Sequence, residues 1–190
     1  MEARMPDISL DDEARARLER LKSGCVLLAR DELKDPNFDK TVVLLCVYGE
    51  EGSYGVVVNR QSHMPLSEIF DGFGGIAQSR KVYIGGPVRQ DELQIIQVTD
   101  SPAENALEIG PHVHLGGEWD DLQRILDTDE ADSYLFLGYS GWAPGQLEYE
   151  VIVGAWEVYN VDLVRFLEEP EGHWRESPER MAEYLRHLQA

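Results

Sequence analysis

The sequence is poor in cations and in cysteine, and it has no long apolar run. Only 17 Lys+Arg stand against 36 Asp+Glu in 190 residues, a formal net charge of −19. A nucleic-acid binder neutralises phosphates with clustered Lys and Arg, so no direct nucleic-acid contact is expected. The same shortage opposes docking on an anionic membrane surface. The longest apolar run, residues 42–48, is far below the ~20 residues of a membrane span. Residues 1–10 lack a basic segment followed by an apolar one, so no secretory signal is read there. The two cysteines, Cys25 and Cys46, lie in apolar runs without a CxxC partner. They read as small buried hydrophobes of a reducing compartment, and a cytoplasmic location is expected. A disulfide between them would require adjacent strands.

What is present fits one globular domain. Hydrophobic residues make up 43%, enough for a packed core and too many for a disordered acidic tail. The acidity is uneven. Residues 100–190 hold 20 acids and 5 bases, and the last lysine is Lys81. A solvated acidic face is the ordinary meaning of such a segment; an electronegative partner surface is the alternative.

Leu10, Ala14, Leu18 and Leu21 recur at helical spacing behind Ser9 and Asp12, which resemble a capping box. Residues 10–22 therefore read as an amphipathic helix, and residues 1–23 as an N-terminal helical extension to a domain spanning 24–190. Strands are expected at 25–29, 41–48 and 54–59, the last two as a hairpin closed by Gly49-Glu50-Glu51-Gly52. Further strands are expected at 82–84, 93–98, 134–137 and 156–159. Helices are expected at 66–70, 118–126 and 179–188, and the glycines of 138–145 read as a turn. Interspersed strands and helices with a hairpin give an α+β domain: a mixed, partly antiparallel curved sheet flanked by helices.

Several patterns touch on chemistry. Gly138-Tyr139-Ser140-Gly141 after a strand resembles a nucleophile elbow, but Trp142 occupies the place of the last glycine, and no convincing Asp-then-His pair follows. His112-Val113-His114 would put two imidazoles on one strand face, which suits a metal; Pro111 and Gly116-Gly117 favour a loop instead. The clusters Gly72-Phe73-Gly74-Gly75 and Gly85-Gly86-Pro87 match no phosphate-loop spacing and read as turns. Arg60, at the end of a strand after Asn59, either binds an anion in a cleft or pairs with Asp35 or another acid to hold the loop. Trp142, before Ala143-Pro144-Gly145-Gln146, reads as a loop aromatic that lines a pocket or folds onto the core.

Taken in order, these segments resemble the YqgE/AlgH family of small bacterial proteins. The resemblance rests on 24–29 with Leu33, Asp35-Pro36-Asn37-Phe38, Thr41-Val42-Val43, and Gly52 with Gly55-Val56-Val57-Val58-Asn59-Arg60. It continues through Pro65-Leu66-Ser67-Glu68, Val82-Tyr83-Ile84-Gly85-Gly86-Pro87-Val88, and Gly138-Tyr139-Ser140-Gly141-Trp142. It ends with Gly145-Gln146-Leu147-Glu148 and Trp156. The resemblance implies a compact α/β fold with a curved mixed sheet and no established biochemical activity. It also implies a helix at 146–153, although Val151, Ile152 and Val153 are β-branched. A transcriptional role is attached to part of the family; the charge balance here favours an indirect route through a protein partner.

Two readings follow. In the first, the chain is a non-enzymatic interaction or regulatory protein with no cofactor. In the second, it is a small-ligand binder or enzyme whose cleft gathers Asp35, Asn37, Asn59, Arg60, Trp142 and Gln146. Metal binding through His112 and His114 is a further alternative. No complete catalytic constellation is visible in the sequence.

Overall fold

The computed structural model describes residues 10–73, 80–168 and 177–189. Strand β1 (Val26–Ala29) and strand β2 (Val42–Gly49) are made of near-continuous aliphatic residues, and most of these are buried. Such runs suit strands covered on both faces. The glycines Gly49 and Gly52 close the expected hairpin to β3 (Gly52–Val57), with Val43 opposite Val57. On the far side of β1 lies β9 (Trp156–Tyr159), also antiparallel.

The 11-residue strand β8 (Asp132–Trp142) joins the two halves of the sheet. Its first half runs antiparallel to β5 (Val88–Val98) and parallel to β4 (Val82–Ile84). Its end, at Ser140 to Trp142, runs antiparallel to β3. Two short strands, β6 (Leu107–Gly110) and β7 (Val113–Leu115), extend the sheet beyond β5. The order is β6-β7-β5-β8-β3-β2-β1-β9, with β4 paired to β8 off that path. The sheet is therefore mixed, with a single parallel pair among the described strands.

The expected turn at 138–145 is corrected: residues 138–142 continue β8, and only 143–145 leave it. The glycines serve close packing instead. Gly138 sits at φ +67 where the β5–β8 register shifts, and a Cβ there would lie 2.7 Å from the Val88 carbonyl oxygen. A Cβ on Gly86 would lie 2.2 Å from the Tyr139 backbone. Gly85-Gly86 thus lets one backbone cross against another.

One face of the sheet packs Val26, Leu44, Val56 and Phe136 under α5 (Leu163–Glu168) and α6 (Pro178–His187). The opposite face packs Leu27, Val43, Trp142 and Trp156 under α1 (Asp12–Glu19) and α4 (Gln146–Ile152). Val26 and Leu27 go to different faces, as strand alternation requires. A third cluster places α2 (Leu66–Ile69) and α3 (Trp119–Thr128) over Ile95, Leu135 and Leu137. Cys25 and Cys46 belong to opposite faces and are free thiols. Burial pushes both thiols up, from 9.0 to about 12.

α1 is shorter than the expected 10–22. Its cap is Asp11, whose side chain accepts a 2.6 Å bond from the Ala14 N–H; Ser9 lies outside the described residues. The helix docks on α4, where buried Arg17 donates to the Val151 carbonyl at 3.4 Å. α4 itself is helical despite its β-branched end, because Leu147 and Val151, four apart, bury together on the sheet.

Candidate functional site

The loop between β1 and β2 is shaped by its own side chains and by residues that follow β3. Asp35 Oδ1 accepts from the Asn37 N–H at 2.9 Å, and its carbonyl accepts from the Phe38 N–H at 3.0 Å. Asp35-Pro36-Asn37-Phe38 is thus a turn built on an aspartate, as its residue types suggest. Asn59 ties the loop to β2: its Oδ1 accepts from the Val42 N–H (2.9 Å) and its Nδ2 donates to the Lys40 carbonyl (2.8 Å). Arg60 donates to the carbonyls of Asn37 (2.5 Å) and Asp39 (3.1 Å). Of the two sequence readings for Arg60, the loop-holding one names the wrong acceptor. The guanidinium is held by backbone carbonyls and not by the Asp35 carboxylate, so these bonds leave its positive charge uncompensated.

Trp142 stands elsewhere than a loop reading places it. It ends β8 and is 4% exposed. Its ring stacks on Phe38 at 6.0 Å and meets Trp156 edge-on at 6.1 Å; Phe38 also meets Trp156 edge-on at 5.6 Å. One oxygen of Glu150 accepts both indole N–H groups, from Trp142 at 2.9 Å and from Trp156 at 2.8 Å. The other accepts from Gln146 Nε2 at 3.1 Å, and Gln146 Oε1 accepts from the Ala143 N–H at 3.0 Å.

The six candidate residues therefore fall into two groups, Asn37 taking part through its backbone. Asp35, Asn37, Asn59 and Arg60 shape the loop, while Trp142 and Gln146 gather around Glu150. The Phe38 ring joins the groups. Sequence reasoning missed Glu150 and the role of Trp156. The signal for Glu150 was its spacing: four residues after Gln146, it shares a helix face with it.

The other candidates are also placed. Ser140 lies inside β8, fully buried, and donates to the Gly85 carbonyl at 3.2 Å. A nucleophile elbow needs a strand-to-helix turn at the serine, and this is mid-strand. His112 precedes β7 in a left-handed conformation (φ 64), so strand alternation does not govern it, and its Nδ1 bonds Asp100. His114 sits within β7, opposite Gln97 and Glu108. Among the described residues no group of three or more His, Cys, Asp or Glu is arranged to hold a metal. His173, Gly74 and Gly75 lie outside the described residues. No helix among the described residues is long and apolar enough to cross a membrane.

The comparisons with known proteins settle the kinship of this arrangement. The model of a family described as AlgH-like matches residues 26–186. The chain belongs to the AlgH-like family. It is 34% identical over 163 residues to a UPF0301 protein of Chlorobaculum tepidum, covering 84% of this chain and 86% of that one. A UPF0301 protein of Parabacteroides distasonis is 34% identical over 161 residues, covering 82% and 81%. The solution structure of the AlgH protein from Pseudomonas aeruginosa superposes with a TM-score of 0.71 at 26% identity, covering 99% of this chain and 92% of that one. A crystal structure from Corynebacterium diphtheriae shares the fold, with a TM-score of 0.60 at 24% identity over 76% and 80% of the two chains. The loop 35–38, the Asn59-Arg60 pair and the Trp142–Gln146 corner all lie within the matched range.

Proposed function

We propose that this AlgH-like protein is a non-enzymatic interaction or regulatory protein, cytoplasmic, acting through protein partners. One observation supports the reading above the others: large apolar side chains stand exposed on helices. Trp119 on α3 and Tyr149 and Val153 at α4 are about half exposed. Meanwhile the polar atoms of the loop-and-tryptophan cluster bond one another. An exposed large aromatic is a common anchor of protein interfaces. Affinity capture from a lysate, with identification of bound proteins and metabolites, tests the reading. A partner protein retained in constant ratio is the expected result. Retention of a small molecule or nucleic acid alone would reject it.

A second reading rests on Arg60. A guanidinium held by two carbonyls keeps a net charge that an anionic small ligand beside the 35–40 loop would neutralise. Ligand-induced thermal shift across a panel of anionic metabolites tests it, with loss of the shift in Arg60→Gln as the expected result.

A further inference from the structure

A recess stands apart from the loop-and-tryptophan cluster. It lies at the start of α3, with a volume of about 400 Å³, and is lined by Glu104, Asn105, Glu118, Trp119, Asp120 and Asp121. Its walls are held in place. The Glu118 N–H donates to the Glu104 carbonyl at 2.7 Å, and the Glu104 N–H donates to Asp121 Oδ2 at 2.9 Å. Asn105 Nδ2 donates to Glu118 Oε1 at 2.8 Å. Trp119 is 50% exposed and braced edge-on by Phe73 at 5.6 Å. The indole is thus fixed by a neighbouring ring and still open to solvent.

Four carboxylates and no cation line this recess. The ion pairs of the region join Arg124 to Asp121 and to Glu130, so of the lining acids only Asp121 is paired there among the described residues. A braced, half-exposed tryptophan amid carboxylates complements one chemistry. A cation is attracted to an indole face, and a guanidinium stacks on the ring while its N–H groups bond carboxylates in a fork. A hydrophobic partner would bury the carboxylates unpaired, and an acidic one would be repelled.

We infer that the Trp119 recess docks an arginine-bearing, basic segment of a protein partner. The inference rests on the interaction-protein reading and assigns that reading a surface and a partner chemistry. Nonspecific attraction to a chain of net charge −19 is the competing explanation, and the variants are chosen to separate the two.

The probe is an acetylated, amidated hexapeptide of alternating arginine and glycine, titrated into the full chain while the Trp119 indole N–H is followed by NMR. Its signal is assigned as the one absent from Trp119→Ala. The expected result is a saturable shift of that signal. Affinity should fall about fivefold or more in Glu104→Gln, read from that signal, and in Trp119→Ala, read from the backbone amide signals of Glu104 and Asn105, in keeping with loss of a charge partner or a cation–π contact. Glu179→Gln, on α6, which packs on a different core cluster from α3, should bind as the parent does. Unfolding curves of each variant confirm a retained fold. Absence of a saturable shift, or equal weakening in Glu179→Gln and Glu104→Gln, overturns the inference. That failure would leave intact any partner retained in the capture experiment, so the two readings fail separately.

Discussion

At the scale of the residue, Glu150 carries more of this structure than its place on a half-exposed helix suggests. One carboxylate oxygen satisfies two indole N–H groups, and the other holds Gln146. Glu150→Ala leaves both indoles without a partner. Each buried, unsatisfied donor costs about 1–3 kcal/mol, so for the two a loss of about 2–6 kcal/mol is expected in urea unfolding. Glu150→Gln, which keeps an acceptor, should cost clearly less. Asn59→Ala removes a clamp on Val42 and Lys40 and is expected to lower stability by about 1–2 kcal/mol. The same measurement checks it.

The two buried thiols give a pH dependence whose sign is fixed. Their pKa values rise on folding, from 9.0 to about 12. The native state therefore keeps protons that the unfolded chain releases above pH 9. Stability from this source is complete below pH 9 and declines as pH rises towards 12. The slope is about 1.4 kcal/mol per pH unit for each thiol. Unfolding curves at pH 8, 9 and 10 should show this alkaline loss, and the Cys25→Ala, Cys46→Ala double variant should show less of it. At pH 8 a thiol reagent should label the native protein only at its rate of opening.

At the scale of the element, the β1–β2–β3 strands, the hairpin turn and helix α6 were legible in the sequence, because aliphatic runs, paired glycines and helical spacing each have a local cause. The strands β6 and β7 and the helix α5 were not. Leu107–Gly110 and Val113–Leu115 carry Glu108 and His114, and they are strands because β5 offers β7 a pairing edge and β7 offers one to β6. The glycines 138–141 read as a turn because glycine marks both turns and close approaches; the crossing of Gly85-Gly86 over β8 decides between them. Gly86→Ala would set a Cβ 2.2 Å from Tyr139 backbone atoms. It is expected to cost about 3 kcal/mol or more, through overpacking against backbone that cannot move aside. Gly72→Ala, with open space around its Cβ and φ +95, should cost only the backbone strain of about 1–2 kcal/mol. Thermal unfolding of the pair tests whether close approach, and not φ alone, sets the penalty.

At the scale of the whole molecule, the charge deficit predicts behaviour towards polyanions. With a formal net charge of −19, duplex DNA should not be retained at about 0.15 M salt, where screening still leaves like charges repelling at short range. A gel-shift assay with random-sequence duplex checks this, and a salt-sensitive complex would contradict it. The same charge, gathered in the second half of the chain, frames the Trp119 recess with carboxylates.

The sequence by itself determined the family, the α+β class, most core strands and the acidic second half. These rest on local runs, on turn residues and on composition, which need no knowledge of distant contacts. It also named Asp35, Asn37, Asn59, Arg60, Trp142 and Gln146 as a set. Only the tertiary structure decided their partners. Arg60 meets backbone carbonyls 21 and 23 residues away, and Trp142 meets the ring of Phe38 from the β1–β2 loop on the same face. Hydrogen bonds to backbone leave no mark in residue types, and a tryptophan is equally at home in a pocket or a core. Its burial is settled by what the fold brings against it.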